Sequence, residues 1–200
     1  DEIRVLWPVL GESGTFGALV KALLLTGQRR NEVAGMTRAE IDRDGIWEIP
    51  AERYKTKRPH AVPLSAAVLE LIEAQPKVGK SGAYVFSSKA GTAFAGFDNA
   101  KAVLDAAISA AAQKAGINPP PRWVLHDLRR TAKTLMARAG VRPDISERVL
   151  GHVIAGVEGV YDRHSYEAEK RDALEKLAAL VDRIVNPPPA NVLPLRREGE

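Results

Sequence analysis

The sequence predicts a mainly α-helical fold carrying a small three-stranded antiparallel β-sheet. Three observations predict it. Long stretches such as "TFGALVKALLLT" and "FDNAKAVLDAAISAAAQKAG" place apolar residues at helical spacing. Three short runs, "GIWEIPA", "HAVPLS" and "AYVFSS", read as strands bounded by glycine, proline and charged turns. The chain has 200 residues, 45% of them hydrophobic, which suffices for a real core in one large domain or two small ones.

The elements follow in order. A helix covers Phe16 to Leu25, and Gly27 breaks or ends it. "RRNEVAGM" opens a shorter helix, followed by "TRAEIDRDG". The first two strands flank "YKTKRP", which reads as the tip of a basic β-hairpin. "SAAVLELIEAQ" starts at a serine N-cap with helical period. The helix from Phe97 is closed by Gly116, and "NPPPRWV" makes a turn. "LHDLRRTAKTLMARAG" is a helix ending at Gly140. "RPDISERVLG" is a short one with Pro143 near its start and Gly151 as its C-cap. "YEAEKRDALEKLAALVDRIV" is the last amphipathic helix, and residues 186–200 form a Pro-rich tail. No internal repeat is visible.

Composition excludes several classes. No apolar run approaches the length of a bilayer span, and "DEIRVLWPVL" lacks the apolar region and cleavage site of a signal peptide. A cytoplasmic location is therefore the default expectation. With no cysteine, disulfides and thiolate metal sites are excluded. "GKS" at Gly79 to Ser81 resembles the end of a P-loop, but Ala74 stands where its first glycine belongs. His152 and His164 lack a third metal ligand at convincing spacing. No cofactor and no metal are expected. The net charge of +4 and the isoelectric point near 9.4 permit a polyanionic partner without requiring one.

Three motifs carry candidate chemistry. In "HDLRRT", His126 and Arg129 share a helix face, with Arg130 nearby. An imidazole beside a guanidinium fork suits a phosphate oxygen; the alternative is a salt bridge to Asp127 or Glu147. In "LLLTGQRRNEV", Arg29 sits at a helix start, where the macrodipole disfavours it, and Glu32 can buttress an arginine. In "YKTKRPH", Lys55, Lys57, Arg58 and His60 crowd a hairpin tip that can reach a groove or remain a solvated turn.

Taken together, "TGQRRNE", "YKTKRPHAVPL", "HDLRRT", "LGH" and "YDRHSY" occur in the order seen in tyrosine recombinases, the phage-integrase family. The chain resembles their catalytic domain from about Asp1 to Ala179, and within the family it looks like integrases of prophages and integrative elements. The resemblance implies the tyrosine recombinase catalytic-domain fold over residues 1–185, with the family's N-terminal DNA-binding domains outside this chain, as in an excised catalytic domain. It places the first catalytic arginine on Arg29 and the hairpin lysine on Lys55, with Lys57 the rival. It places the H-x-x-R pair on His126 and Arg129, the L-G-H histidine on His152, and the nucleophile on Tyr161, nine residues beyond His152. Tyr166 is the runner-up nucleophile, and His164 matches a less critical position.

The implied reaction cuts and rejoins DNA through a 3′-phosphotyrosine. The two arginines would clamp the non-bridging oxygens and His152 would add a hydrogen bond. Lys55 is the candidate acid and His126 the candidate base. The glycines of "VIAGVEGV" would let Tyr161 swing toward the phosphate. Lys57, Arg58, His60 and Arg130 are expected DNA contacts, mostly to phosphates. The implied partners are double-stranded attachment sites in the nucleoid, with accessory DNA-bending or directionality proteins and no membrane. Four protomers would synapse two sites, while the isolated domain would be a monomer. "LEKLAALVDRIV" is apolar enough to dock on a neighbour or to pack within its own protomer. The rival readings are a Xer-like resolvase, a transposon recombinase, a type IB topoisomerase and a non-catalytic DNA-binding module.

Overall fold

The computed structural model describes residues 2–79, 82–152 and 165–188. Among them, eight α-helices surround one two-stranded antiparallel sheet. The helices are α1 (Glu2–Glu12), α2 (Gly14–Thr26), α3 (Arg30–Ala34), α4 (Ala66–Glu73), α5 (Phe97–Lys114), α6 (Leu125–Arg138), α7 (Pro143–Leu150) and α8 (Glu167–Val185). A single 3-10 turn covers Arg38–Glu40. None of these helices is long and apolar enough to cross a membrane.

α2 is the hub. Its sequence is apolar almost all round, and a helix of that kind must be buried on every face. Leu19, Val20, Leu23 and Leu24 are accordingly inaccessible, and α1, α3, α4, α6 and α8 pack around it. α1 was not assigned from the sequence. It is short and contains Pro8, yet Leu6 and Leu10 bury against the core. α6 shows a clean stripe, with Leu128, Ala132, Leu135 and Met136 facing inward. Truncating a buried leucine such as Leu23 to alanine would cost about 2–5 kcal/mol.

The hairpin forms as expected. β1 (Ile46–Ile49) pairs with β2 (His60–Pro63) in the register Ile46↔Pro63 through Ile49↔His60. The expected third strand, "AYVFSS", does not join this sheet. Tyr84 makes one isolated bridge to Thr37, and Val85 donates to the Met36 carbonyl at 2.9 Å. Its partner segment turns at once into the 3-10 helix, so the ladder cannot propagate, although Val85 and Phe86 are buried.

α8 closes the molecule over β2, α6 and α7. Leu174, Leu177, Ala178 and Val181 are buried within this protomer, so the self-packing alternative is the arrangement observed. Lys170, also buried, donates from Nζ to the Ala61 carbonyl at 2.9 Å and ties α8 to the hairpin. Residues 189–200 of the expected tail lie outside the described residues.

Candidate active site

Two helices end at the same place. α2 stops at Gly27, whose φ of +66° is the left-handed value glycine adopts freely. α7 stops at Gly151 with a φ of +65°. Each terminus leaves carbonyls without helical partners and concentrates partial negative charge. Arg129, projecting from α6 and only 6% exposed, lies between them. Its Nη1 donates to Gly27 O at 2.8 Å and its Nη2 to Leu150 O at 2.7 Å. The alternative of a salt bridge to Asp127 or Glu147 does not describe Arg129: Asp127 pairs with Arg130, and Glu147 with Lys133 and His152.

Arg129 Nη2 also meets His152 Nε2 at 2.9 Å. A guanidinium only donates, so Nε2 accepts, and the ring proton sits on Nδ1, which donates to Glu147. Lys133 first, and the His152 hydrogen bond after it, hold the Glu147 carboxyl below its ordinary pKa despite the opposing effect of burial. Glu147 thus fixes both the tautomer and the orientation of His152.

Arg29 approaches from the start of α3. Its Nη1 pairs with Glu32 Oε1 at 2.8 Å, and the backbone N–H of Arg29 donates to Glu32 Oε2 at 2.9 Å. Glu32 is buried and provides the buttress the sequence suggested. Arg29 and Arg129 line one cleft of about 600 Å³ together with Lys55 and His126. Burial, followed by the nearby Arg29 charge, lowers the Arg129 pKa from its ordinary value. Two cations this close make a site that favours an anion.

The far wall carries Arg30 stacked on Phe97 at 4.7 Å and Lys101 over Trp123 at 3.8 Å. Of the rival hairpin lysines, Lys55 lines the cleft. Lys57 does not; it donates from Nζ to Glu52 O at 3.3 Å. Lys57 and Arg58 remain exposed on the tip.

Two expected DNA contacts lie elsewhere. His60 is buried, with its ring 4.8 Å from Tyr54 in a stack and Nε2 donating to Val149 O at 3.1 Å. It sits at the start of β2, where the strand's inward face turns it under α7. Burial, helped by the charges of Lys170, Arg129 and Arg29, pushes its pKa down to about 4, so the ring is neutral. Arg130 does not line the cleft and instead lines a separate groove with Glu2, Arg4 and Arg138. One helical residue after Arg129 is a rotation of roughly 100°.

The profile of the phage integrase family matches residues 15–168. The chain belongs to the phage integrase family. It is 31% identical over 160 residues to prophage integrase IntA of Escherichia coli K12, an alignment covering 79% of this chain and 37% of that protein. The chain therefore spans well under half the length of this relative. In fold it is similar to the integrase of mycobacterium phage Brujita, with a TM-score of 0.57 and 17% identity over 85% of this chain and 56% of that one. It is likewise similar to the XerH site-specific recombinase bound to difH substrate. That match has a TM-score of 0.53 and 21% identity, covering 76% of this chain and 46% of that one.

Of the residues that resemblance to the phage integrases marked, Arg29, Lys55, His126 and Arg129 converge on one cleft, and His152 adjoins it through Arg129. Tyr161, His164 and the glycine linker "VIAGVEGV" lie outside the described residues. Tyr166 caps α8, its ring 3.7 Å beneath the Arg148 guanidinium, and does not line the cleft. Sequence reasoning offered Glu147 only as an arginine partner, not as the brace of His152, and missed Tyr54. A carboxylate in the last turn before "LGH" was the available signal for the first, and adjacency to Lys55 for the second.

Proposed function

We propose that this chain is the catalytic domain, residues 1–185, of a site-specific DNA recombinase that integrates or excises a mobile element. One observation carries the reading: two guanidinium groups, a lysine and a histidine from three separate segments line a single cleft. That set suits a phosphodiester. Arg29 and Arg129 contact the non-bridging oxygens, where negative charge grows in the transition state; each contact is worth roughly 3 kcal/mol by analogy with an oxyanion donor. The Tyr161 oxygen bonds to phosphorus as its proton passes to His126, directly or through water. The bond from phosphorus to the 5′ oxygen breaks, and Lys55 supplies the proton that oxygen needs. For His152 to donate to the phosphate, Nε2 must gain a proton while Glu147 holds the other ring nitrogen.

The phosphotyrosine ester retains the energy of the broken linkage, so the 5′ hydroxyl can reseal it by the reverse steps. Double-stranded DNA is the partner that basic charge and cleft support, and the related XerH is a recombinase with a DNA substrate. Four protomers on two synapsed sites, a monomer in the absence of DNA, and accessory DNA-bending or directionality proteins complete the reading. Likeness to a prophage integrase favours a mobile element over chromosome-dimer resolution.

The test is a trapping assay. The chain is incubated with a pool of nicked duplexes randomised around the nick, and covalent adducts are resolved on a denaturing gel. Adduct with wild type, its loss in Tyr161→Phe and a slowed rate in Lys55→Ala are the expected results. Persistence in Tyr161→Phe with loss in Tyr166→Phe would move the nucleophile. No adduct with any duplex would remove the catalytic reading and leave a DNA-binding module.

A further inference from the structure

Tyr54 opens the "YKTKRPH" stretch just before Lys55, and no role was assigned to it. It is 2% exposed although it lies in the hairpin tip beside the exposed Lys55. Its surroundings join the hairpin, Arg29 and the end of α7. Its ring stacks on His60 at 4.8 Å with an interplanar angle of 20°. The Arg29 guanidinium lies 5.2 Å from the ring centroid on the cation–π side. Its hydroxyl reaches the carbonyls of Leu150 and Gly151, each at 3.3 Å. The Leu150 carbonyl is the same oxygen that receives Arg129 Nη2.

Gly151 makes this approach possible. A Cβ there would stand 1.7 Å from the Tyr54 hydroxyl. The glycine in "LGH" therefore does more than end α7; it opens the space into which the phenol reaches. Burial raises the phenol pKa above its usual value, so the hydroxyl stays protonated and donates.

Resting on the reaction proposed above, we infer that Tyr54 is a positioning residue: it pins the hairpin to the end of α7 and so sets Lys55 in register with Arg29, Arg129 and His152. Consecutive Cα atoms are about 3.8 Å apart, so fixing Tyr54 fixes the base of the Lys55 side chain. The exposed tip beyond it can then move with the DNA while its first residue stays docked.

The experiment separates acid placement from general damage. The full 200-residue chain is assayed for adduct formation on nicked duplexes obtained from the randomised pool. Each is made with either the ordinary oxygen or a sulfur in the 5′ bridging position. Sulfur leaves as a thiolate without needing an acid, so it bypasses Lys55. Tyr54→Phe keeps the ring, the His60 stack and the cation–π contact with Arg29, and loses the hydroxyl with its bonds to Leu150 O and Gly151 O and its polar contact with Arg29. It is expected to slow the oxygen substrate roughly 10- to 100-fold, less than the roughly 10²–10⁴-fold of a lost general acid, because Lys55 is still present. On the sulfur substrate it is expected to run close to wild type, as Lys55→Ala should.

The sulfur rate is also the control for a folded site. Equal slowing on both substrates would overturn the inference, because the phenol would then act on the arginines or on the fold. An unchanged oxygen rate would overturn it too. Either result leaves the recombinase reading intact as long as wild type forms adduct; absence of adduct in wild type strikes the proposed reaction itself.

Discussion

The two sides of the cleft are built in opposite ways. On one, Arg129 is 6% exposed and held by Gly27 O, Leu150 O and His152, while Glu32 and Glu147 brace Arg29 and His152. On the other, Lys55, Lys57 and Arg58 stand exposed on a hairpin tip whose anchored residues are Tyr54 and His60. Charge stabilisation requires fixed donors that cost no reorganisation during reaction. Proton delivery to a leaving group, and contact with a variable duplex, tolerate a side chain that moves. The cleft thus divides into a rigid anion frame and an adjustable arm.

The largest expected effects break that division at its ends. Under the proposed reaction, Arg129→Ala removes a transition-state contact, and it orphans two helix-end carbonyls, so cleavage should fall about 10²–10³-fold. Unfolding free energy should fall with it by about 2–4 kcal/mol, since unsatisfied buried acceptors are costly. Lys55→Ala should slow cleavage by roughly 10²-fold or more while leaving the urea midpoint unchanged. If Lys55→Ala destabilised the protein as much as Arg129→Ala, the arm would not be adjustable and the contrast would fail.

A pH titration sharpens the buried end. His60 has a folded pKa of about 4 against an ordinary 6.5, so the unfolded chain binds the proton more readily. Its contribution to stability is fully present above pH 6.5 and is lost as pH falls toward 4, by about 3 kcal/mol at pH 4 relative to pH 7. Comparing urea unfolding of wild type and His60→Asn isolates this group from the carboxylates. The variant should be less stable at pH 7, and the gap should narrow through that window.

The smallest effects concern the exterior. Arg130→Ala should change cleavage and DNA affinity by less than about twofold, because Arg130 pairs at the surface with Asp127 outside the cleft. Lys57→Ala with Arg58→Ala should weaken DNA binding modestly and reduce its dependence on salt by about one charge per residue. A strong defect in Arg130→Ala would extend the DNA-binding face to the groove beside α1.

Much of this was legible in the sequence. The helix stops at Gly27 and Gly151, the Pro143 start and the Glu32 buttress depend on residues within a few positions of one another, and the hairpin pairing joins nearby strands. α1 was hidden by its length and by Pro8. The third strand failed because its partner segment turns away after one pair, which strand propensity alone cannot reveal. His60 is buried because the strand's alternation carries its ring inward, although its charge-rich neighbours stand on an exposed tip.

By itself the sequence determined the order of elements, where helices begin and end, and which side chains could serve a phosphate, since capping, periodicity and side-chain chemistry act over a few residues. Only the tertiary structure decided that Arg129 is held by two helix ends rather than by an acid, that Lys55 and not Lys57 reaches the cleft, and that Tyr54 docks on Leu150. Those outcomes join segments whose separation reaches 96 residues for Tyr54 and Leu150 and 102 for Gly27 and Arg129. Contacts at that range depend on how whole helices pack around α2, and no local pattern encodes where two distant backbone carbonyls will meet one side chain.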